Sequence, residues 1–423
     1  MAGDAVPAAE KPAAKDIRRI ITASSLGTIF EWYDFFIYGT LAAAGIIGRT
    51  FFPTGNVVLE SLLAWAGFAV GFVFRPLGAV LFGYFGDRFG RKYTFLITIT
   101  IMGLATAGVG FIPGHDVIGI AAPVLIISLR ILQGLALGGE YGGATIYVAE
   151  HAPPGKAGFY TSFIQASVAA GFVVSHAVAL TARFSMPESV WNAWGWRIPF
   201  LFSLVLLAVS LWMRLKLSES PVFRKMKEEG QTSSNPFVES FTYPGNWKRI
   251  LVALFGLSGG MTVIWYAAMF GALSFLSGPM RVEPVAAQLM VGAAAVVGLG
   301  WFILFGRLSD KVGRKKPIIA GYVLSLVLLF PMFWLMGAVA NPALSDAARR
   351  APVVVTGADC RFDPFAAKQA TPCGQVLDIL SKRGITYSTD HAGRFAVTIG
   401  GEPVADVSAE GIDAALARAG YDF

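Results

Sequence analysis

A few charged residues of this chain stand inside oily stretches, at spacings that place them on helix faces. Glu31 and Asp34 are three residues apart, about 60° around a helix. Gly27, Glu31, Asp34 and Tyr38 follow one face at i, i+4, i+7 and i+11. Arg130, Gln133 and Glu140 fall in a later apolar run, with Gln133 and Glu140 seven apart on one face, and Arg75 lies in an earlier one. Charges in such runs cost roughly 2.5–3.5 kcal/mol each on insertion scales, so their default reading is functional. A carboxylate in low dielectric is disfavoured as an anion, and a facing arginine favours it. If an anionic ligand takes over the arginine, the carboxylate is freed to bind a proton. Asp34 and Arg130 are the expected pair, because their depths in their spans are similar. Glu31 is about 16 Å from the inner end of its span, near the middle, at 1.5 Å per residue.

Two decapeptides interrupt the oil with charge. GYFGDRFGRK occupies 83–92 and GRLSDKVGRK occupies 306–315, 223 residues further on. Gly83, Asp87, Arg88, Gly90, Arg91 and Lys92 of the first correspond to Gly306, Asp310, Lys311, Gly313, Arg314 and Lys315 of the second. The glycines permit close helix approach and a tight turn. Asp87 can face a helix N-terminus, where negative charge is favoured. The bases can pair with acids on neighbouring helices. Such a cluster can lock one packing of two halves and release it in another. Anchoring by positive charge alone needs no Gly or Asp at fixed spacing.

The elements that must position these residues are membrane helices. The 423-residue chain is 55% hydrophobic and 14% charged, with mean hydropathy +0.60; soluble domains are nearer a quarter charged. Spans long enough for a ~30 Å hydrocarbon core are read at 20–48, 61–85, 93–112, 120–148, 159–183, 196–216, 249–277, 287–306 and 317–339. The organisation follows: a cytoplasmic tail (1–19), a six-helix bundle (20–216), a polar cytoplasmic linker (217–248), three more helices (249–339) and a terminal unit (340–423). Lys and Arg crowd one side, at Arg18, Arg19, Lys156, Arg214, Lys248, Arg249 and both charged loops. That puts the N-terminus in the cytoplasm by the positive-inside rule. The net charge of +7 therefore reads as topology and lipid contact, not as a nucleic-acid surface.

The doubled loop resembles the signature of the major facilitator superfamily, whose fold is two homologous six-helix halves. Glu31-Trp32-Tyr33-Asp34-Phe35, Phe74-Arg75-Pro76-Leu77-Gly78 and Arg130-Ile131-Leu132-Gln133-Gly134 running to Gly138-Gly139-Glu140-Tyr141 resemble its metabolite:proton symporter branch, as does Glu219-Ser220-Pro221-Val222-Phe223. The resemblance covers about 20–339. It implies proton-coupled uptake of a small polar metabolite in a bacterial inner membrane, with helix-one acids and the helix-four arginine in the coupling. The proton gradient would be the energy source, with no cofactor. Trp265 and Tyr266 would line the cavity. Arg75 and Arg130 lean the substrate toward carboxylates.

Beyond the ninth span the pattern fails. The equivalent of 120–148 should recur near 343–371, where NPALSDAARRAPVVVTGADCRFDPFAAKQ cannot span. Residues 340–423 read instead as a small α+β periplasmic domain or insert. APVVVTG and RFAVTIGG read as strands, and CGQVLDILSKRG and SAEGIDAALARAG as helices. Cys360 and Cys373, the two cysteines, are expected to pair in an oxidising compartment. The second half is thus expected to be incomplete, with three helices encoded downstream or an assembly covering the gap. Projecting Glu31, Asp34 and Arg130 by the repeat gives Leu254, Leu257 and Val353, so coupling belongs to the first half. His176 reads as a packing residue. The four histidines and two cysteines form no metal pattern, and no nucleotide loop or nucleophile motif marks an enzyme. Two alternatives stay open: a ligand sensor derived from a transporter, and a drug:proton antiporter. The second is weakened because SVAAGFVVSHAVAL in helix five lacks the antiporters' Gly-Pro signature.

Overall fold

The computed structural model describes residues 14–89, 91–215, 238, 241–366 and 368–421. Within these, the side chains of 14–20, 87–89, 91–92, 140–143, 146–147 and 150–151 lie outside the description. So does most of the expected linker, together with its Glu219–Phe223 stretch.

Helices α1 (Ala14–Ala43) and α2 (Ile46–Phe51) open the chain, parted by Gly45 with φ 73°. The second apolar stretch crosses as α3 (Val57–Val73) and α4 (Arg75–Phe89). It breaks at Phe74 because Pro76 has no N–H to donate to the Phe72 carbonyl, and its ring crowds that oxygen. Then come α5 (Arg91–Phe111), α6 (His115–Ile118), α7 (Ala121–His151), α8 (Ala157–Phe184), α9 (Glu188–Ala193) and α10 (Ile198–Leu215). Helix α11 runs over Asn246–Ser277 and includes two wider π stretches, Val252–Gly259 and Ala267–Gly271. Helices α12 (Pro284–Val312) and α13 (Lys315–Ala340) complete the bundle. Among the described residues eight helices are long and apolar enough to cross a membrane; α1, carrying Glu31 and Asp34, is a further long helix.

Glycine decides how closely the first-half helices approach. Gly134-x-x-x-Gly138 on α7 follows the small-xxx-small pattern of membrane helix contacts. A Cβ at Gly134 would collide with the Gly71 carbonyl, and one at Gly138 with the Arg75 carbonyl. Across the other junction, a Cβ at Gly158 of α8 or at Gly306 of α12 would lie 2.6 Å from the partner's carbonyl oxygen.

Residues beyond α13 fold as α14 (Pro342–Arg350), β1 (Val353–Thr356), α15 (Pro372–Lys382), β2 (Tyr387–Asp390), β3 (Ala396–Ile399), β4 (Glu402–Pro403) and α16 (Ala409–Arg418). The sheet order is β2-β1-β3-β4, with β1 parallel to β2 and antiparallel to β3. Thr371 and Ser408 accept from Gly374 N and Gly411 N, capping α15 and α16. The core holds Val353, Val355, Leu380, Ile399 and Leu416 with the Cys360–Cys373 disulfide, whose Cα atoms are 5.0 Å apart. This unit sits on the turn between α11 and α12. Met280 is buried in its core, and Asn341 Nδ2 donates to the Met280 carbonyl at 3.2 Å. That is the end of α12 opposite the second charged loop.

Candidate functional site

The centre of the bundle is an arginine pair wrapped in aromatic rings. Arg130 of α7 is fully buried. Its guanidinium carbon is 4.4 Å from the Phe35 ring centre, 4.5 Å from Tyr38 and 5.1 Å from Phe68. Arg75, at the start of α4, lies 4.2 Å from the same Phe35 and 4.2 Å from Phe72, with Trp32 at 5.0 Å. Phe35 therefore stands between two cations, whose attraction to ring faces strengthens where water is excluded. Arg130 Nη1 donates to Gln133 Oε1 at 2.6 Å, and Gln133 Nε2 to Thr106 Oγ1 at 2.7 Å. Arg130 forms no ion pair with any described residue.

Both residues expected from α11 are at this centre. Trp265 stacks on Phe36 at 5.1 Å, and Tyr266 meets Phe72 at 4.9 Å with its hydroxyl near Arg75. Tyr266, Phe270 and Thr262 also line a cleft of about 440 Å³ against Trp65, Phe68 and Phe72 of α3. Tyr38 donates to the Ala64 carbonyl at 3.1 Å.

The acids are arranged differently from expectation. Asp34 does not face Arg130. Successive residues turn by about 100°, and Arg130 stacks on the side of α1 that carries Phe35 and Tyr38. Asp34 is buried toward α5 and α10, near Ser203, and has no ion pair among the described residues. Thr106 comes between, reaching the Asp34 carbonyl oxygen at 3.5 Å. Glu31, not Asp34, has the close cation: Arg214 Nη2 donates to Glu31 Oε1 at 2.7 Å. Arg214 is in the last turn of α10, so Glu31 lies one arginine side chain from that helix end, not isolated in mid-bundle. By sequence alone Arg214 marks only topology. A base ending an apolar span reads as an anchor, and nothing in one helix tells which acid of another it meets.

The second charged loop does meet a helix N-terminus. Asp310 accepts from Gly158 N and Phe159 N, both at 2.8 Å, at the start of α8. Arg314 Nη2 donates to the same carboxylate at 2.8 Å. Gly306 provides the close approach described above. Gly313 takes φ 87°, which ends α12 and turns the chain into α13. Lys311 and Lys315 are exposed. Of the first loop, Gly83 has open space around it. Gly90 and the side chains of Asp87, Arg88, Arg91 and Lys92 lie outside the described residues, as does the side chain of Glu140. His176 Nδ1 is 3.0 Å from the Phe172 carbonyl and its ring packs on Phe172.

A bundle of long apolar helices with a buried arginine centre, and a charged loop tying two helix groups together, defines a membrane transporter architecture. Residues 20–239 match the model of the sugar (and other) transporter family. The shikimate transporter of Escherichia coli is 36% identical over 321 residues, covering 75% of this chain and 72% of that protein. A glycine betaine/proline/ectoine/pipecolic acid transporter of Dickeya dadantii is 36% identical over 329 residues, covering 76% of this chain; the chain spans 65% of that relative's length. The fold is similar to the proton:xylose symporter XylE bound to 6-bromo-6-deoxy-D-glucose, with TM-score 0.55 at 18% identity over 77% of this chain and 80% of that one. The chain belongs to the sugar (and other) transporter family of the major facilitator superfamily, and is a multi-pass membrane protein.

Proposed function

We propose that this protein carries a small carboxylate-bearing metabolite into the cell with protons, by alternating access. The observation that carries the reading is Arg130. A fully buried guanidinium with no acidic partner among the described residues is costly in low dielectric. A substrate carboxylate would supply the missing charge, and Arg is suited to bind it in two-pronged fashion. Arg75, Tyr38, Gln133, Trp265 and Tyr266 would complete the pocket, with the aromatic rings taking the apolar part of the substrate. The names of the shikimate and pipecolic acid relatives point to the same chemistry, whereas xylose, the sugar of the structurally similar proton symporter, is uncharged.

Asp34 would take the proton, since it is a buried acid with no ion pair among the described residues. Asp310 at the start of α8, with Arg314, would act as the latch between the halves; Gly83, Asp87, Arg88, Gly90, Arg91 and Lys92 would form its counterpart. The end that carries both loops would face the cytoplasm, and residues 340–423 the periplasm, as the Lys/Arg bias requires. No cofactor is needed, because the proton gradient supplies the work.

The test is uptake of labelled shikimate, proline, glycine betaine and xylose by membrane vesicles from cells expressing the protein. A carboxylate should accumulate under an inward proton gradient and leak away when a protonophore collapses it. Arg130→Lys should remove this uptake, because a point charge replaces the planar fork. Accumulation of xylose alone, or of nothing, overturns the reading.

A further inference from the structure

Glu31 and Asp34 of α1 border a small, partly open void of about 10 Å³ between α1, α5 and α10. That is room for roughly one water. Its polar border is Glu31, Asp34 and Ser210, and Phe30, Met102 and Leu206 form apolar walls. Asp34 Oδ1 and Ser210 Oγ are buried without a hydrogen-bond partner among the described residues. A water there would have two to four polar partners, the number that buried waters hold. Glu31 is held at the edge by Arg214, whose guanidinium lies against Gly27 and would have to shift if residue 27 carried a Cβ. A Cβ at Gly27 would lie 2.6 Å from Arg214 Nη2.

We propose that this void is a built water site through which Glu31 and Asp34 share a proton, with Arg214 as the positioning residue that keeps Glu31 at its edge. The proton ends on Asp34 Oδ1, where it removes an uncompensated charge; no bond between heavy atoms changes. Glu31 keeps its ion pair and passes protons on through the water. Groups around Asp34 on every packed element fit this division. Tyr33, beside it on α1, has its hydroxyl committed to the Pro199 carbonyl at 2.6 Å. Ser203 and Ser210 come from α10, and Thr106 of α5 takes the backbone oxygen. Arg130 of α7 stands behind Gln133 and Thr106. The proton path and the arginine centre thus occupy adjacent sides of one helix, with Phe35 about 100° around from Asp34.

This rests on the proton-coupled reading above, but its test needs no substrate. Infrared spectra of the purified full chain, titrated in H2O and D2O, report protonated carboxyl groups directly. The wild type should show one buried carboxyl band, and Asp34→Asn should lose it. Ser210→Ala should shift that band, because the water loses a partner. Gly27→Ala and Arg214→Gln should each add a second band that disappears when Glu31→Gln is combined with them, and Arg214→Lys should show the single band again. Gly27→Ala keeps the arginine, so it serves if Arg214→Gln fails to fold. A band surviving Asp34→Asn, or no second band in Gly27→Ala, overturns the proposal. Normal bands in a protein that moves no substrate would sink the transport reading and leave this one standing.

Discussion

Glycines of the first half and of the second half meet different surroundings. Gly78, Gly134 and Gly138 sit where another helix's backbone leaves no room for a methyl group, and a Cβ at Gly71 would press on Phe35 and Arg130. Gly292, Gly298, Gly300 and Gly321, on α12 and α13, have nothing within 4 Å. Burial follows the same line. Phe35, Arg130, Gln133 and Phe200 are fully buried, whereas Leu326, Phe330, Trp334 and Val339 of α13 face outward. The first half is a packed bundle held by close backbone contact. The next three helices are oily on nearly all sides and touch the first half through α8 and the aromatic centre. In a membrane, apolar side chains gain little from leaving lipid, so close packing and polar contacts must provide the adhesion. Where glycine-mediated approach occurs, helices associate; where it does not, they present an outer surface.

The largest expected effect breaks this comparison if it is wrong. Gly134→Leu and Gly138→Leu should prevent recovery of folded protein, because overpacking against a backbone carbonyl costs more than the usual ~1–3 kcal/mol of a core misfit. Gly298→Leu and Gly321→Leu should stay within about 0.5 kcal/mol of wild type. Thermal unfolding in detergent measures both, and similar losses in the two sets would refute the contrast.

The C-terminal unit should behave as a third, separable region. Cys360→Ser should destabilise it by about 3 kcal/mol, the loop-closure value for a link of this span. Protease resistance of 341–421 should fall, with the melting of the first half unchanged.

Smaller effects separate the two ends of the α8–α12 junction. Asp310→Asn weakens charge-assisted bonds to two partly buried backbone donors, at about 1–3 kcal/mol. The distance between spin labels at Lys156 and Lys311 should lengthen or broaden. At the other end, Arg183 lies 3.9 Å from Glu283 and 3.6 Å from Glu188, both well exposed. Arg183→Gln should cost under about 1 kcal/mol and leave that distance unchanged. If Arg183→Gln has the larger effect, Asp310 is not the latch.

What could be read without the tertiary structure was whatever depends on one stretch of chain at a time. Length of apolar runs, 3.6-residue faces and the doubled loop were sufficient for the membrane helices and the family resemblance. They also sufficed to mark Glu31, Asp34, Arg75 and Arg130 as unusual. Pairing among those four depends on the rotation of several helices at once, with about 100° per residue deciding which side chain is presented. It also depends on long arginine side chains that reach a full turn away. So Arg130 was expected at Asp34 and lies on Phe35 and Tyr38. Arg214, read as an interface anchor, turns inward to Glu31 past Gly27. Periodicity specifies the face a residue shares, and only helix-on-helix packing decides what that face meets.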